Sequence, residues 1–145
     1  MRLVVQRVKS AKVTKIDTGE VVGKIGLGMF VLFGVGKEDT KKEADFLSEK
    51  LLKLRIMSDK SDKMNLSVSD AGGEILVVSQ FTLYADTSAG NRPSFIKAGE
   101  PGKARELYEY FISKLKESGI KIATGSFGDY MKIEAELDGP VTILY

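Results

Sequence analysis

Met29-Phe30-Val31-Leu32-Phe33-Gly34-Val35 is apolar without a break. A strand wetted on one face would alternate with polar residues, so this run reads as a central strand buried on both faces. Upstream, Leu3-Val4-Val5-Gln6-Arg7-Val8 and Ala11-Lys12-Val13-Thr14-Lys15-Ile16 read as two more strands, the second alternating with period two. Asp17-Thr18-Gly19-Glu20 supplies turn chemistry, and Val21-Val22-Gly23-Lys24-Ile25 returns as a strand before Gly26-Leu27-Gly28 interrupts it.

Downstream the period changes. Thr40-Lys41-Lys42-Glu43 has capping-box spacing, and Ala44, Leu47, Leu51 and Leu54 follow on one helical face. Residues 58–73, rich in Ser, Asp, Lys and Gly, read as a mobile loop with a short segment around Leu66. Glu74-Ile75-Leu76-Val77-Val78-Ser79 is a second buried strand, and residues 87–102 are a loop holding Arg92-Pro93-Ser94-Phe95. A second helix opens at Pro101 and carries an apolar stripe of Ala104, Leu107, Tyr108, Phe111, Ile112 and Leu115. Ser118-Gly119 closes it, and residues 120–124, 131–137 and 141–145 return to strands. The order predicts an α+β protein, a strongly bent sheet or β-barrel-like core with two packed helices, as a single domain over residues 1–145.

At 145 residues the chain is long enough to bury a core without staples. It has no His and no Cys, which excludes a Ser-His-Asp triad, a Cys nucleophile, a disulfide and an ordinary zinc site. Chemistry must therefore run on hydroxyls, backbone groups, carboxylates, cations or the substrate itself. The formal charge is only +2, from 22 basic against 20 acidic residues, so no overall bias points to nucleic acid. Lys41, Lys42, Lys50, Lys53 and Arg55 crowd one region and read as the solvated side of a helix. No apolar run approaches the roughly 20 residues a membrane helix needs, and Arg2 and Arg7 break the opening run too early for a signal peptide. A soluble, cytoplasmic protein is expected.

Two segments stand out as chemistry. Ser79-Gln80-Phe81-Thr82-Leu83 leaves a buried strand and presents side chains and amides at a sheet edge; Gly139-Pro140-Val141-Thr142 lies near the C-terminus. Each alone has a bland explanation, as local hydrogen bonding or a turn. Arg92-Pro93 alone is a loop arginine beside a rigid corner.

Taken in order, the motifs make the whole chain resemble the D-aminoacyl-tRNA deacylase family of the D-tyrosyl-tRNA deacylase type. The resemblance rests on Arg2-Leu3-Val4-Val5-Gln6-Arg7-Val8, on Ser79-Gln80-Phe81-Thr82-Leu83-Tyr84-Ala85-Asp86, on Arg92-Pro93-Ser94-Phe95 and on Gly139-Pro140-Val141-Thr142. It implies a homodimer whose site pairs Ser79, Gln80, Phe81 and Thr82 of one subunit with a Gly139-cis-Pro140 dipeptide of the other. It implies an aminoacyl-tRNA substrate whose D-aminoacyl ester is hydrolysed, with no cofactor, no metal, no membrane and no DNA as partner.

Within that resemblance the Phe81 amide is the leading oxyanion donor. Thr82 is the residue most often considered a nucleophile in this setting, but no His exists to deprotonate it, so it is assigned to positioning. Gly139-Pro140 would exclude L side chains by its backbone, which predicts glycyl-tRNA as a further substrate. Arg7 and Arg92 are the expected tRNA contacts. Asn91 departs from the family pattern, where a basic residue or Met often precedes the Arg-Pro pair, and this bears on how the acceptor end is held. Other readings are an L-specific editing module like that of some archaeal threonyl-tRNA synthetases, a non-catalytic nucleic-acid binder, and a small-molecule binder in a barrel mouth.

Overall fold

The computed structural model describes residues 1–145. Its elements run β1 (Arg2–Lys15), β2 (Val21–Ile25), β3 (Gly28–Gly34), α1 (Lys41–Lys53), β4 (Met57–Ser58), β5 (Met64–Leu66), β6 (Glu74–Ser79), a 3-10 turn (Phe81–Tyr84), α2 (Pro101–Lys116), β7 (Ile122–Thr124) and β8 (Met131–Leu144). Six strands form one sheet in the order β2-β1-β3-β6-β7, with β8 paired along the other edge of β1. The β3–β6 and β6–β7 pairs are parallel and the pairs of β1 are antiparallel.

The sheet curls into a nearly closed barrel because β2 and β7 approach each other. Gly23 permits that approach: a Cβ there would lie 2.4 Å from the Thr124 carbonyl oxygen.

The apolar runs of β3 and β6 are explained by two cores, one on each sheet face. Met29, Val31, Phe33, Ile75 and Val77 face the larger core, under the helix residues Ala44, Leu47, Leu51, Leu107, Phe111 and Leu115. Phe30, Leu76 and Val78 face a smaller core with Val8, Ala11, Val13 and Ile25. The Tyr108 hydroxyl donates to the Val77 carbonyl (2.8 Å) and ties α2 to β6.

The expected two strands at the start are one. β1 is continuous for 14 residues, because its register against β8 slips at residues 6–10 instead of turning. The slip changes which face is buried: Leu3 and Val5 belong to the larger core, and Val8, Ala11 and Val13 to the smaller. β8 likewise unites the two expected C-terminal strands, with Gly139-Pro140 inside it.

The predicted capping box forms: the Thr40 side chain accepts from the Lys42 amide, and Glu43 Oε2 accepts from the Thr40 amide (2.7 Å). The segment expected as a mobile loop is instead built. β4 and β5 pair as a short hairpin, and Asp59 Oδ1 accepts from the amides of Ser61 (2.8 Å) and Lys63 (3.1 Å) across its turn.

Candidate active site

β6 is buried on both faces up to Val78 and half-buried at Ser79. The Gln80 amide donates to the Phe33 carbonyl (2.8 Å), the last ladder bond before the chain turns. Residues 81–84 then wind into a 3-10 turn with no buried side chain. Its first bonds run from Leu83 to the Gln80 carbonyl (3.3 Å) and from Ala85 to the Thr82 carbonyl (3.0 Å). The Phe81 and Thr82 amides precede that ladder, so the turn itself leaves both donors free. Phe81 is 56 % exposed.

The Gln80 side-chain amide donates to Thr82 Oγ1. Thr82 Oγ1 has no carboxylate or ammonium partner. The nearest acid in sequence, Asp86, is occupied: it accepts from Lys97 Nζ (2.8 Å), Ser88 Oγ (2.7 Å) and the Ser88 amide (3.0 Å). Those donors hold its carboxyl well below the usual carboxylate range. No general base is hydrogen-bonded to Thr82 within the protomer.

Leu83 of the turn packs over Gly34, and the rest of the turn is held from the side. Arg2 Nη1 donates to the Leu83 carbonyl (2.6 Å), and the guanidinium lies 4.5 Å from the centre of the Tyr84 ring. The Tyr84 hydroxyl donates to Asp39 Oδ2 (3.2 Å), which also accepts from the Gly36 amide (2.6 Å). Burial first, then the Asp39 charge, push the Tyr84 hydroxyl up to about 12, so it stays protonated. The Phe95 ring meets Phe81 edge-on, centroids 5.0 Å apart.

The second segment sits elsewhere on the protomer. The Gly139-Pro140 peptide bond is cis. Gln6 pairs with Thr142 and Val8 with Leu137, so Arg7 alone faces the excursion of residues 138–141. Gly139 has φ +142°, and a Cβ there would lie 2.5 Å from the Val141 nitrogen. Only glycine is comfortable at that position. Both Gly139 and Pro140 are exposed.

Arg7, expected as a tRNA contact, is spent inside the protomer and is 9 % exposed. Its Nε donates to the Asp138 carbonyl (3.1 Å) and lies 3.0 Å from Asp138 Oδ2, and its Nη1 donates to the Ile56 carbonyl (2.9 Å) and Ser58 Oγ (3.2 Å). It braces the residue before Gly139. Arg92 is exposed, on a loop closed at its base by reciprocal Asp86–Ser94 backbone bonds (2.9 and 2.8 Å).

One protomer does not bring the two segments together. Phe33 pairs with Ser79 and Arg2 with Gly34, which sets the turn level with the start of β1 on its β3 side. Gly139-Pro140 lies level with Arg7 on the β8 side. Five residues of strand separate those levels, about 16 Å. Two concavities of about 490 Å³, one lined by Lys12, Lys24 and Glu134 and one by Phe46, Lys50, Arg55 and Tyr145, take in neither segment. No set of three or more carboxylates converges as a metal site.

Sequence reasoning missed the tethers Arg2, Asp39, Tyr84 and Phe95. Arg2, Tyr84 and Phe95 stood inside the quoted motifs, whereas nothing local in the sequence marks Asp39.

A bent α+β sheet with an exposed strand-end turn and an exposed Gly-Pro excursion defines a class of small barrel-like proteins, here built without His or Cys. The family model described as D-Tyr-tRNA(Tyr) deacylase matches residues 4–145. A D-aminoacyl-tRNA deacylase of Thermosipho melanesiensis is 54 % identical over 145 residues, covering 99 % of this chain and 95 % of that protein. One of Lacticaseibacillus casei is 53 % identical, covering 100 % and 97 %. A solved structure described as c-Myc DNA Unwinding Element Binding Protein superposes with a TM-score of 0.92 at 42 % identity, covering 100 % of this chain and 97 % of that one. The chain belongs to the D-Tyr-tRNA(Tyr) deacylase family.

Proposed function

We propose that the protein hydrolyses the ester between a D-amino acid and the terminal ribose of tRNA, and glycyl-tRNA as well, at a site shared by two copies of the chain. The coarser part, a hydrolase acting on D-aminoacyl-tRNA, follows from family membership over residues 4–145. The finer part rests on one observation: strand register sets the turn level with Arg2 and the exposed Gly139-Pro140 level with Arg7, a rise of about 16 Å along β1 within a protomer.

The exposed edge strand supports a paired state. Residues 132–137 of β8 are exposed on both faces, and Leu137, Leu144 and the adjacent Tyr130 are uncovered apolar side chains. In the proposed dimer a second copy uses this edge and supplies its Gly139-Pro140 to the turn of the first.

In this reading the Phe81 amide receives the developing oxyanion of an already activated ester. Gln80 fixes Thr82, whose hydroxyl orients the attacking water, and a ribose 2′-hydroxyl assists it. The water adds to the ester carbonyl, and collapse of the adduct releases free amino acid and the tRNA 3′-terminal hydroxyl. Gly139-Pro140 faces the α-carbon, its carbonyls receive the substrate ammonium, and its backbone collides with any L side chain. Glycine has nothing to exclude. No helix is long and apolar enough to cross a membrane; a cytoplasmic location suits a tRNA substrate.

The test is release of amino acid from D-tyrosyl-, L-tyrosyl- and glycyl-tRNA in the presence of chelator. Cleavage of the D and glycyl esters alone supports the reading. Cleavage of L-tyrosyl- or L-seryl-tRNA would favour an L-specific editing module instead. The DNA-element binding named for the 42 % identical structure motivates a second reading, duplex DNA binding; binding that survives Gly139 and Thr82 substitutions would favour it.

A further inference from the structure

The Phe81–Thr82 turn has no buried side chain, yet the proposed chemistry demands that one of its amides be held still. Its Leu83–Tyr84 end is anchored by Arg2 and Asp39. Its Phe81 end meets only one ring, Phe95, edge-on at 5.0 Å.

Phe95 is itself seated by a latch. The segment carrying it is joined to residue 86 by the paired Asp86–Ser94 backbone bonds, and to β3's exit by Lys37 N to the Lys97 carbonyl (3.1 Å) and Gly99 N to the Val35 carbonyl (2.8 Å). Between these ties, Lys97 Nζ reaches back to Asp86 Oδ2 (2.8 Å). Asp86 in turn directly follows the cap of the catalytic turn, Ala85.

We infer that Phe95, seated by the Asp86–Lys97 ion pair, is a positioning residue that sets the Phe81 amide for oxyanion binding. This rests on the functional reading above for its chemistry, though not for its geometry. An aromatic edge contact suits the task because it fixes ring orientation without adding a polar group to the site. The contact Phe95 makes at the turn is with the Phe81 ring, so in this reading its loss should lower turnover without weakening tRNA binding.

Phe95→Leu should lower kcat about two- to tenfold, the size of one aromatic pair contact, with KM little changed. Phe95→Tyr, which keeps the ring, should restore it. Lys97→Met, a surface change that leaves both cores intact, should lower kcat less, and Lys97→Arg should rescue it. In the Phe95→Leu background Lys97→Met should have no further effect, since the latch acts through the ring. The Phe81 amide cross-peak in nitrogen-15 spectra should move in Phe95→Leu and Lys97→Met while those of Val77 and Val78 stay.

An unmoved Phe81 peak, additive effects of the two changes, or a rise in KM at constant kcat would overturn the inference. Failure of the unmodified protein to cleave D-tyrosyl-tRNA would instead strike the functional reading. The amide shift, which needs no substrate, would still decide the seating of Phe81.

Discussion

Arg7 Nε donates to the carbonyl oxygen of Asp138 at 3.1 Å and lies 3.0 Å from its Oδ2. One side chain from β1 thus grips both ends of the residue that leads into Gly139-Pro140, and its Nη1 fastens the same point to the hairpin through the Ile56 carbonyl (2.9 Å). The excursion of residues 138–141 is braced from within its own protomer, which leaves the outward faces of Gly139 and Pro140 free.

Arg7→Met should therefore loosen selectivity before it abolishes catalysis. It strands the buried Ile56 carbonyl and the Asp138 groups, at a cost of about 1–3 kcal/mol. For a chain of this length that lowers the thermal midpoint by roughly 2–4 °C for each kcal/mol. The ratio of D- to L-tyrosyl-tRNA cleavage should fall. An unchanged ratio with the predicted drop in melting temperature would reduce Arg7 to a purely structural brace.

Gly139→Ala tests the other half of that arrangement. The added Cβ meets the Val141 nitrogen at 2.5 Å, at a φ of +142° that L residues avoid. The segment must shift, at a backbone cost of about 1–3 kcal/mol. Cleavage of D-tyrosyl-tRNA should drop steeply while calorimetry shows a folded protein melting only a few degrees lower. Full activity in this variant would remove Gly139 from the site.

How far such contacts could be read from sequence depends on their span. The capping box of Thr40 and Glu43 was legible because it is three residues long and its geometry is local. The burial of β3 and β6 was legible because a sheet with a core on each face leaves no polar positions. Lys9-Ser10 looked like a break and is a register slip, since only the β8 partner, more than 120 residues away, keeps the strand going. The partners of Arg7 were illegible for the same reason: Asp138 is 131 residues distant, and nothing near Arg7 announces it. The 3-10 turn was invisible because it is four residues long and buries nothing.

Thr82→Ala should slow hydrolysis about tenfold, as expected for loss of one positioning hydrogen bond, and leave measurable turnover. The basis is that Thr82 Oγ1 accepts from Gln80 and makes no hydrogen bond to a base in the protomer. Rapid-quench mass spectrometry of the unmodified protein should show no acylated chain. An adduct at Thr82, with complete loss of activity in Thr82→Ala, would reinstate it as the nucleophile.

The pH behaviour has a defined sign. No His is present, Tyr84 is pushed up to about 12, and Asp86 is held below the usual carboxylate range, chiefly by Lys97 and Ser88. None of these groups titrates between about pH 6 and 9, so kcat should show no step attributable to them there. Stability should respond at the extremes. Asp86, Glu74 and Asp70 have folded values lowered by their hydrogen bonds, so their contribution is complete above the unfolded carboxylate value near 4 and erodes as pH falls below it. Tyr84 and Tyr108 are raised by burial, so theirs is complete below about pH 10 and erodes above it. Melting temperature against pH should be flat in the middle and fall on both sides.

A shared site predicts complementation between two inactive variants. Phe81→Pro removes the candidate oxyanion amide while keeping the φ that the first residue of a 3-10 turn adopts. Gln80, at φ −145° and ψ 87°, lies outside the α region that a following proline disfavours. Phe81→Leu, which retains the amide, is the control for loss of the ring. If turn and Gly139 come from different copies, a mixed dimer of Phe81→Pro with Gly139→Ala holds one site with both defects and one with neither. Random exchange makes about half of the dimers mixed, so unfolding and co-refolding the two should return about a quarter of normal activity. Sites confined to single protomers would return none.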